Sequence, residues 1–600
     1  MNQSTKSNIG RFKVTECLGT GMQGKVYLGK DPILERQVAL KLITTEDDNL
    51  TYSEDVIAEA RIAARISHPN VVPIYEVDLF QSSPLLVFEY IDGITLNKYI
   101  KEHGRFIEKE AISIMRQIAD GIKCAHEKGI VHLDLSSNNI MIDKAGQPRI
   151  MDFGLAHVIS ATNKIQNSEI AMGTPRYMTP EHLTGRELTQ ASDVFTLGLL
   201  FYELLTGLPA FDHKEMSDII NATKNVKIDW GKLQHQAISN EVIATLRDML
   251  QLEPANRYQS AGVLVSELDV IISMQDHEDR GSVSLDFLLR RLQRRPEFPA
   301  CSHSIAEINR LTDENSDTNF NQLGAVIIRD YSLTNRIMKI ANSVIFDRGN
   351  EGVKTISQAI SRLGLKLVRM ISNGLLLFNQ ADNKDNDLKD VLVASFVAGL
   401  IARHITSLKT KRLAEEAFIC AMFHNLGNHL LIFYLPDEYD EIKTLIDKGE
   451  DVQQAERNIL STTTASLGMA VAEKWNFPET ITNCMKRLPQ GVLAAPDNSN
   501  NILFHTANYA NELCGLIMSD AENMELILKI SDFNDRHQNL YKNDASNLAK
   551  LVNSAAKKFS ALAPSLGVNF NDSHFCQQLN QFSIKIDTIQ QRVDMEVTLV

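Results

Sequence analysis

The sequence predicts a multidomain protein in which a two-lobed α+β unit is followed by a half built only of helices. The first observation is a set of short β-rich runs within residues 12–91, followed by helical periodicity that continues to about residue 273. The second is that residues 285–600 show helical periodicity almost throughout, without sheet-like alternation. The charged segment 274–284 has no apolar period and is predicted to be the linker.

Composition and charge indicate a folded protein and limit its partners. The 600 residues are 44% hydrophobic and 23% charged, and a length of about 150 residues per domain gives two to four domains. The formal net charge of −14 opposes binding to nucleic acid or anionic lipid. The polar N-terminus has no signal-peptide core, and the apolar stretch 194–205 is too short to cross a bilayer. We therefore expect a cytoplasmic protein without membrane insertion.

The elements of the small lobe have local signals. Runs rich in β-branched and aromatic residues at 12–18, 26–30, 37–43 and 85–91 predict strands, separated by Gly and Pro. Ser53 precedes Glu54, Asp55 and an apolar helical period that ends before His68-Pro69, which predicts a capped amphipathic helix. From about residue 108 to 273 helices dominate, so the second lobe is larger and helical.

A glycine-rich segment lies between the first two predicted strands, Leu18-Gly19-Thr20-Gly21-Met22-Gln23-Gly24-Lys25-Val26. Glycines at this spacing let backbone N–H groups approach phosphates, because no Cβ blocks the approach. Taken alone, the segment also fits an ordinary glycine-rich turn.

Two charged residues follow at informative places. Lys41 ends the β-run Val38-Ala39-Leu40-Lys41, and Glu59 lies on the next predicted helix. An ion pair between them could hold the lysine toward the α- and β-phosphates of a nucleotide. A surface lysine and a solvated helical glutamate are the alternatives for each residue taken singly.

Three further motifs complete an ordered set. They are His132-Leu133-Asp134-Leu135-Ser136-Ser137-Asn138-Asn139, Asp152-Phe153-Gly154 and Thr179-Pro180-Glu181. With them the chain resembles the eukaryotic-type protein kinase family from residue 12 to about residue 271, with all principal motifs in family order. The resemblance implies the two-lobed kinase fold over residues 12–273 and transfer of the γ-phosphate of ATP to Ser or Thr of a protein.

The resemblance also implies individual roles. Asp134 would orient the acceptor hydroxyl and take its proton, while Asn139 and Asp152 would hold Mg²⁺, with Mn²⁺ as a substitute. Lys41 and Glu59 complete the catalytic set. Phe88 matches the gatekeeper beside the adenine, and Glu89 and Ile91 match the hinge. The implied nucleotide-binding residues are Leu18, Gly19, Thr20, Gly21, Met22, Gln23, Gly24, Lys25, Val26, Ala39, Lys41, Phe88, Glu89 and Ile91.

Supporting positions match as well. Glu181 and Arg257 match the pair that ties the activation segment to the helical lobe, and Asp193 matches the residue that buttresses the catalytic loop. Thr174 in Gly173-Thr174-Pro175 is of the kind found in Ser/Thr kinases.

Two positions depart from the family pattern. Leu133 replaces the usual catalytic-loop Arg, so a phosphorylated activation loop would lack an adjacent guanidinium. Ser136 replaces the lysine that contacts the γ-phosphate, and the loss of one such donor costs about 10²- to 10³-fold in rate. The sequence therefore predicts a weakened kinase, and the alternative is a pseudokinase scaffold that binds ATP without transferring phosphate.

The helical half resembles the HDOD family, an all-α relative of metal-dependent phosphohydrolases, over residues 285–490. The resemblance depends on many small matches: Arg290-Arg291-Leu292, Ile328 to Leu333, Ile340 to Ser343, Ile356 to Gly364, His424-Asn425-Leu426-Gly427 and Trp475 to Glu479. Residues 491–600 are also helical, and their apolar stripes could complete this domain or form a dimer surface. We favour completion of the domain, because such stripes are more often core.

A metal-dependent hydrolase needs a His-Asp pair and further histidines. Here Asn425 replaces the aspartate, and Ala394 and Thr464 stand where we place other ligands. We interpret His424 and His429 as structural, because five residues would put them about 140° apart on one helix. A phosphohydrolase acting on a signalling nucleotide is therefore disfavoured. The resemblance implies a regulatory or partner-binding module of a bacterial signalling protein.

Overall fold

The structure of the protein is a computed structural model in which the chain forms two compact units, Met1–Glu278 and Asp279–Val600. The residues that the structure describes are 8–21, 24–43, 57, 60–61, 63–81, 83–153, 175–275, 280–294, 308, 311, 320–328, 337–338, 341, 355–365, 368, 386–410, 413–475, 477–489, 491–519, 523–541, 545–562 and 573–582.

The first unit begins with an antiparallel sheet. Its strands are β1 (Asn8–Ile9), β2 (Phe12–Gly21), β3 (Gly24–Lys30), β4 (Gln37–Ile43), β5 (Ile74–Phe80) and β6 (Ser83–Glu89), in the spatial order β1-β2-β3-β4-β6-β5. A second small sheet has the order β7-β8-β9, from Gly93–Thr95, Ile140–Asp143 and Pro148–Ile150. The strands predicted at 12–18, 26–30, 37–43 and 85–91 correspond to β2, β3, β4 and β6. The predicted helix after Ser53 falls largely outside the described residues.

Helices build the rest of the first unit. They are α1 (Leu96–His103), α2 (Glu108–His126), α3 (Pro180–Leu183), α4 (Gln190–Thr206), α5 (Met216–Lys224), α6 (Gly231–Gln234), α7 (Asn240–Met249) and α8 (Ala261–Gln275), with short 3₁₀ turns at Pro175–Tyr177 and Pro254–Asn256. Every residue of α4 from Ala191 to Thr206 is buried. A helix that is buried on all sides belongs in the centre of a lobe, and α2, α7 and α8 pack against α4.

In the described part of the second unit every regular element is a helix. The elements are α9 (Arg280–Arg294), α10 (Phe320–Ile328), α11 (Ile356–Leu363), α12 (Asn386–Lys409), α13 (Ala414–Phe423), α14 (Leu426–Tyr434), α15 (Pro436–Asp447), α16 (Val452–Leu460), α17 (Thr464–Lys474), α18 (Glu479–Asn483), α19 (Ser499–Met518), α20 (Asn523–His537) and α21 (Ala545–Leu562). Because α8 ends at Gln275 and α9 begins at Arg280, helices occupy both edges of the predicted linker 274–284.

One apolar core runs through the second unit from Leu288 to Phe582. Helix α12 is central to it and packs against α13, α19 and α21. The buried carboxylate of Asp390 in α12 accepts hydrogen bonds from Ser573 Oγ at 2.6 Å and from the Phe575 N–H at 3.1 Å. The C-terminal residues after 490 therefore pack into the same core as the helices before them.

Two segments of the second unit are long and apolar enough to cross a membrane by length and composition alone. They are Asp387–Leu408 and Glu416–Tyr434, with mean hydropathies of 1.7 and 1.2. Within them, 67% and 78% of the apolar window is buried inside the unit, and a turn at His424-Asn425 interrupts the second segment. Core helices of packed domains pass the same test, so these segments are weak evidence for a membrane span.

A buried ion pair joins the first helix of this unit to its core. Arg291 of α9 donates from Nη1 to Glu438 Oε1 of α15 at 2.9 Å, and the two side chains are only 2% and 5% exposed. Removing one partner leaves an unpaired buried charge, which costs about 3–5 kcal/mol. We expect Arg291→Met to lower the free energy of unfolding of this unit by that amount.

The measurement is urea unfolding of the full chain carrying Trp230→Phe, so that Trp475, buried in the second unit, is the sole tryptophan. The double variant Arg291→Met/Glu438→Leu, which removes both charges, should recover most of the loss. A single variant as stable as its parent would contradict the prediction.

Candidate functional site

A buried aspartate shapes the loop that follows α2. Asp193, in the first turn of α4, accepts hydrogen bonds from the N–H groups of His132 and Leu133 at 2.8 and 2.9 Å. The same carboxylate contacts His126 Nε2 at 2.9 Å. The two backbone bonds that this buried carboxylate accepts fix the chain that leads into Asp134.

Two non-glycine residues at the site have left-handed backbone conformations. Leu133 has φ 62° and Asp152 has φ 59°. Each such residue costs on the order of 1–2 kcal/mol, which the surrounding contacts offset. At Leu133 the offsetting contact is the bond from its N–H to Asp193.

Asp134 and Asn139 meet across the predicted catalytic loop. Asn139 Nδ2 donates to Asp134 Oδ2 at 3.0 Å and to the Asp134 carbonyl at 2.7 Å. Burial raises the pKa of Asp134 above its ordinary value. Because the amide nitrogen of Asn139 is committed to Asp134, its amide oxygen is left to accept a further ligand.

Lys41 and Asp152 form an ion pair. Lys41 on β4 lies opposite Leu86 of β6, and its Nζ lies 2.8 Å from Asp152 Oδ1, with side-chain exposures of 8% and 25%. The pair brings a strand of the small lobe against the segment that follows β9. Glu59, predicted to pair with Lys41, lies outside the described residues.

His132 and Phe153 support the segment around Asp152 by ring packing and by a hydrogen bond. Their rings lie 4.6 Å apart, and His132 Nε2 is 2.9 Å from the Met151 carbonyl. Both side chains are buried. The contacts fit the packing role that the resemblance implies for these two residues.

The glycine-rich segment forms the β2–β3 hairpin, in which Gly19 faces Val26, Thr20 faces Lys25 and Gly21 faces Gly24. Met22 and Gln23 at its tip lie outside the described residues. Gly24 has φ +143°, and a Cβ there would sit 2.1 Å from the Leu42 carbonyl oxygen. A glycine is therefore required at this position because the neighbouring strand β4 leaves no room for a Cβ. The expected reason was a different one, the close approach of phosphate. A Cβ at Gly19 would meet open space.

The predicted adenine side is lined by a small apolar cluster. Ala39 lies opposite Phe88 on the neighbouring strand, and Phe88 and Ile91 are buried together with Leu86. Leu18 is 43% exposed at the end of the hairpin. The side chain of Glu89 pairs with Arg149 on β9. None of the sequence motifs predicts this contact.

Ser136, at the position of the missing lysine, is 2% exposed. Neither Lys nor Arg occurs between Asp134 and Asn139. The next residue, Ser137, has its Oγ 2.8 Å from the Tyr177 hydroxyl and donates to Glu203 at 3.3 Å. The Tyr177 hydroxyl also donates to Glu203, and burial raises the pKa of both groups. The catalytic loop is therefore tied to α4 through hydroxyls instead of a cation.

Glu181 and Arg257 form a bidentate pair in the larger lobe, at 2.7 and 2.9 Å with both side chains buried. Burial opposes ionisation of Glu181, yet its bonds with Arg257 outweigh that effect and lower its pKa. Thr174 and the rest of residues 154–174 lie outside the described residues.

In the second unit, the His-Asn motif lies at a break between two helices. His424 follows the end of α13 and Asn425 precedes α14. The prediction that His424 and His429 lie 140° apart on one helix was therefore wrong. The turn between the two helices is not visible in the apolar periodicity of the sequence. His424 Nδ1 bonds to the Cys484 carbonyl and His429 Nε2 lies 3.0 Å from Ser395 Oγ, as expected of structural histidines.

The neighbouring positions also have internal partners. Asn425 donates to Asn511 at 2.9 Å, and Thr464 Oγ1 donates to the buried Glu456 at 2.7 Å. Arg487 donates to the same Glu456 at 2.8 Å. Ala394 is partly buried against the core. No group of three or more His, Cys, Asp and Glu side chains arranged for a metal occurs in the described part of the chain.

Burial lowers the pKa of both His424 and His429 to about 4 from an ordinary 6.5. Between those values the unfolded chain binds protons that the folded domain does not, so stability is complete above pH 6.5 and falls as the pH falls. We expect a loss of about 1.4 kcal/mol per pH unit for each histidine. Urea unfolding followed by Trp475 fluorescence at pH 7 and pH 5 measures it.

His429→Asn should remove about half of this pH dependence, because one of the two buried imidazoles is gone. An unfolding midpoint that is the same at pH 7 and pH 5 would refute the assignment.

Comparisons with known proteins match both parts of the chain. The family of the protein kinase domain matches residues 12–267, and the family of the HDOD domain matches residues 298–489. The serine/threonine-protein kinase PrkC of Bacillus subtilis is 34% identical over 261 residues, which cover 42% of this chain and 39% of the relative. PknB of Mycobacterium tuberculosis is 31% identical over 274 residues, 44% of each chain.

A solved structure, Rad53 in complex with AMP-PNP, has 26% identity and a TM-score of 0.37, covering 43% of this chain and 64% of that one. The chain spans less than half the length of the bacterial relatives it matches. The matched segments agree with the β-rich lobe, the helical lobe and the helical second half, which confirms the predicted fold class and both family resemblances. The chain thus carries a protein kinase domain at residues 12–267, followed by an HDOD domain at residues 298–489.

Proposed function

We propose that this protein is an ATP- and Mg²⁺-dependent serine/threonine protein kinase of a bacterial signalling pathway, with a non-catalytic HDOD module for regulation or partner binding. The observation that carries the proposal is the convergence of Lys41, Asp134, Asn139 and Asp152 in one site. The named kinase activity of the bacterial relatives supports it. We also place the protein in the cytoplasm, where ATP is available.

Asp134 has the acid–base role in this reaction. Its carboxylate would accept the proton of a Ser or Thr hydroxyl as that oxygen attacks the γ-phosphorus, and the bond from the γ-phosphorus to the β–γ bridging oxygen breaks, leaving ADP. Asn139 holds the carboxylate from one side, so the free oxygen is oriented toward the acceptor. The raised pKa of Asp134 improves its ability to take a proton near neutral pH.

Asn139 and Asp152 fit a hard cation. The Asn139 amide oxygen and the Asp152 carboxylate are the ligand types that Mg²⁺ prefers, and the Asn139 nitrogen is already used by Asp134. Bound Mg²⁺ supplies neutralisation of charge on the β- and γ-phosphates. Lys41, whose Nζ lies 2.8 Å from Asp152 Oδ1, would turn its ammonium to the α- and β-phosphates.

A second candidate is an ATP-binding scaffold that signals through the HDOD module. The absence of any cation between Asp134 and Asn139 favours it, because the transferring phosphate then lacks one charged donor. That loss amounts to about 3–4 kcal/mol of the barrier, less than the total that enzymes supply. The complete set of acid, amide and ammonium groups therefore favours catalysis.

The experiment is transfer of radiolabelled γ-phosphate from ATP to the chain itself and to generic protein acceptors, with Mg²⁺ and with EDTA. We expect label on Ser or Thr that depends on Mg²⁺, identified by phosphoamino acid analysis. ATP binding is followed in parallel by thermal shift. Binding of ATP without any transfer would reject the kinase and leave the scaffold.

A further inference from the structure

The segment that runs from β9 to Asp152 is attached to the small lobe at two separate points. The first is the Lys41–Asp152 pair. The second is the ion pair between Glu89 and Arg149. Arg149 and Asp152 are three residues apart on the segment β9 to Asp152, while Lys41 and Glu89 lie on the neighbouring strands β4 and β6.

The two attachments face different chemistry. Lys41 and Asp152 are the groups that would turn to phosphates and Mg²⁺, so nucleotide binding would compete with their mutual pair. Glu89 ends β6 and Arg149 lies on β9, and neither belongs to the groups expected to meet phosphate. Their pair can therefore stay closed whether or not a nucleotide is bound.

Backbone contacts converge on the same junction. The Ile150 N–H donates to the Asn70 carbonyl at 2.8 Å and the Val72 N–H to the Ile150 carbonyl at 2.9 Å. Asn70 Nδ2 donates to the Pro148 carbonyl at 2.9 Å. One residue further, the Glu89 N–H donates to the Pro73 carbonyl at 3.2 Å. The segment 70–73 thus bonds to β9 on both sides of Arg149 and also to the hinge residue.

The side chains of Glu89 and Arg149 are largely shielded from water, so the loss of their ion pair should have a measurable effect. Arg149 is 17% exposed and Glu89 33%, so water screens their attraction only in part. The Arg149 Nε is buried and has no hydrogen-bond partner among the described residues. Loss of the Glu89 carboxylate would leave a mostly buried guanidinium with still fewer partners.

We propose that the Glu89–Arg149 pair is the pivot that aligns the adenine-binding hinge with the segment from β9 to Asp152, and that Arg149 is a positioning residue for nucleotide binding. The proposal rests on the proposed function in one respect, since it takes residues 88–91 as the adenine-binding hinge. It adds a residue, Arg149, that belongs to none of the motifs used above.

The test compares Arg149→Met, Arg149→Lys and the charge exchange Glu89→Arg/Arg149→Glu in the full chain. We expect Arg149→Met to raise the Kd for AMP-PNP with Mg²⁺ about 5- to 20-fold, measured by calorimetry, with the loss in KM for ATP and not in kcat. Arg149→Lys and the exchanged pair should recover part of the affinity. The matched control is Arg116→Met, which breaks the Arg116–Asp269 pair (2.8 Å) of the same unit and should leave Kd unchanged.

Hydrogen exchange of the nucleotide-free chain is the second measurement. Arg149→Met should speed exchange of the Glu89 and Ile150 amides, whereas Arg116→Met should not. An Arg149→Met chain with native Kd and native exchange would overturn the pivot. If the native chain bound nucleotide but transferred no phosphate, the kinase proposal would fail, and the Kd values of the variants would still test the role of the Glu89–Arg149 pair. If the native chain bound no nucleotide, the hydrogen-exchange rates of the variants would test that role instead.

Discussion

Asp134→Asn should lower the rate of phosphate transfer by about 10³-fold, within the range that general-base groups contribute. The amide keeps the size of the side chain and its contact with Asn139, but it can no longer accept the proton of the attacking hydroxyl. The carboxylate is bonded on one side by Asn139 Nδ2 at 3.0 Å, so the variant should fold normally. Initial rates of labelled phosphate transfer at saturating ATP measure the effect.

The control for this variant is its affinity for AMP-PNP, which should stay within about twofold, because the role proposed for Asp134 is toward the acceptor hydroxyl and not the nucleotide. A variant that transfers phosphate as fast as the native chain would show that another group takes the proton. A native chain as slow as the variant would instead identify the scaffold.

Ser136→Lys should raise kcat by about 10²-fold, the reverse of removing one charged donor at a transferring group. The stretch from Asp134 to Asn139 contains no cation, and the family places a lysine at this position. The new ammonium would extend from the catalytic loop toward the γ-phosphate, where negative charge concentrates during transfer. The effect should appear in kcat, measured with the same acceptor proteins as for the native chain.

Ser136→Met is the matched control, since it adds a chain of similar length without the charge. Ser136 is 2% exposed, so any gain from filling space alone would appear in both variants. Equal rates for Ser136→Met and Ser136→Lys would mean that the missing charge does not limit phosphate transfer.

The β-rich lobe was predictable because its signals are local. The strand Gln37–Ile43 has the bounds that its run of β-branched residues predicts. Asp134, Asn139 and Asp152 were also predictable as candidates, because phosphate chemistry requires those residue types in that order.

The contact between Glu89 and Arg149 was not predictable, in contrast to the Glu181–Arg257 pair that the family resemblance implied. Glu89 and Arg149 are separated by 60 residues, and nothing near either one signals the other. The turn at His424-Asn425 was not predictable either, because the apolar residues of α13 and α14 continue on both sides of it. Gly24 shows a third case, in which the correct residue was expected for a different physical reason.

The apolar core of the second unit ends far beyond residue 489, where the HDOD match stops. A premature stop codon just after that point would remove α19, which packs against α12 and α13, together with α20 and α21. The buried faces of α12 and α13 would then meet water, and proteases would degrade the remnant. In an organism such a lesion would therefore act as loss of the whole HDOD domain. The kinase domain, which is encoded upstream, would still be translated.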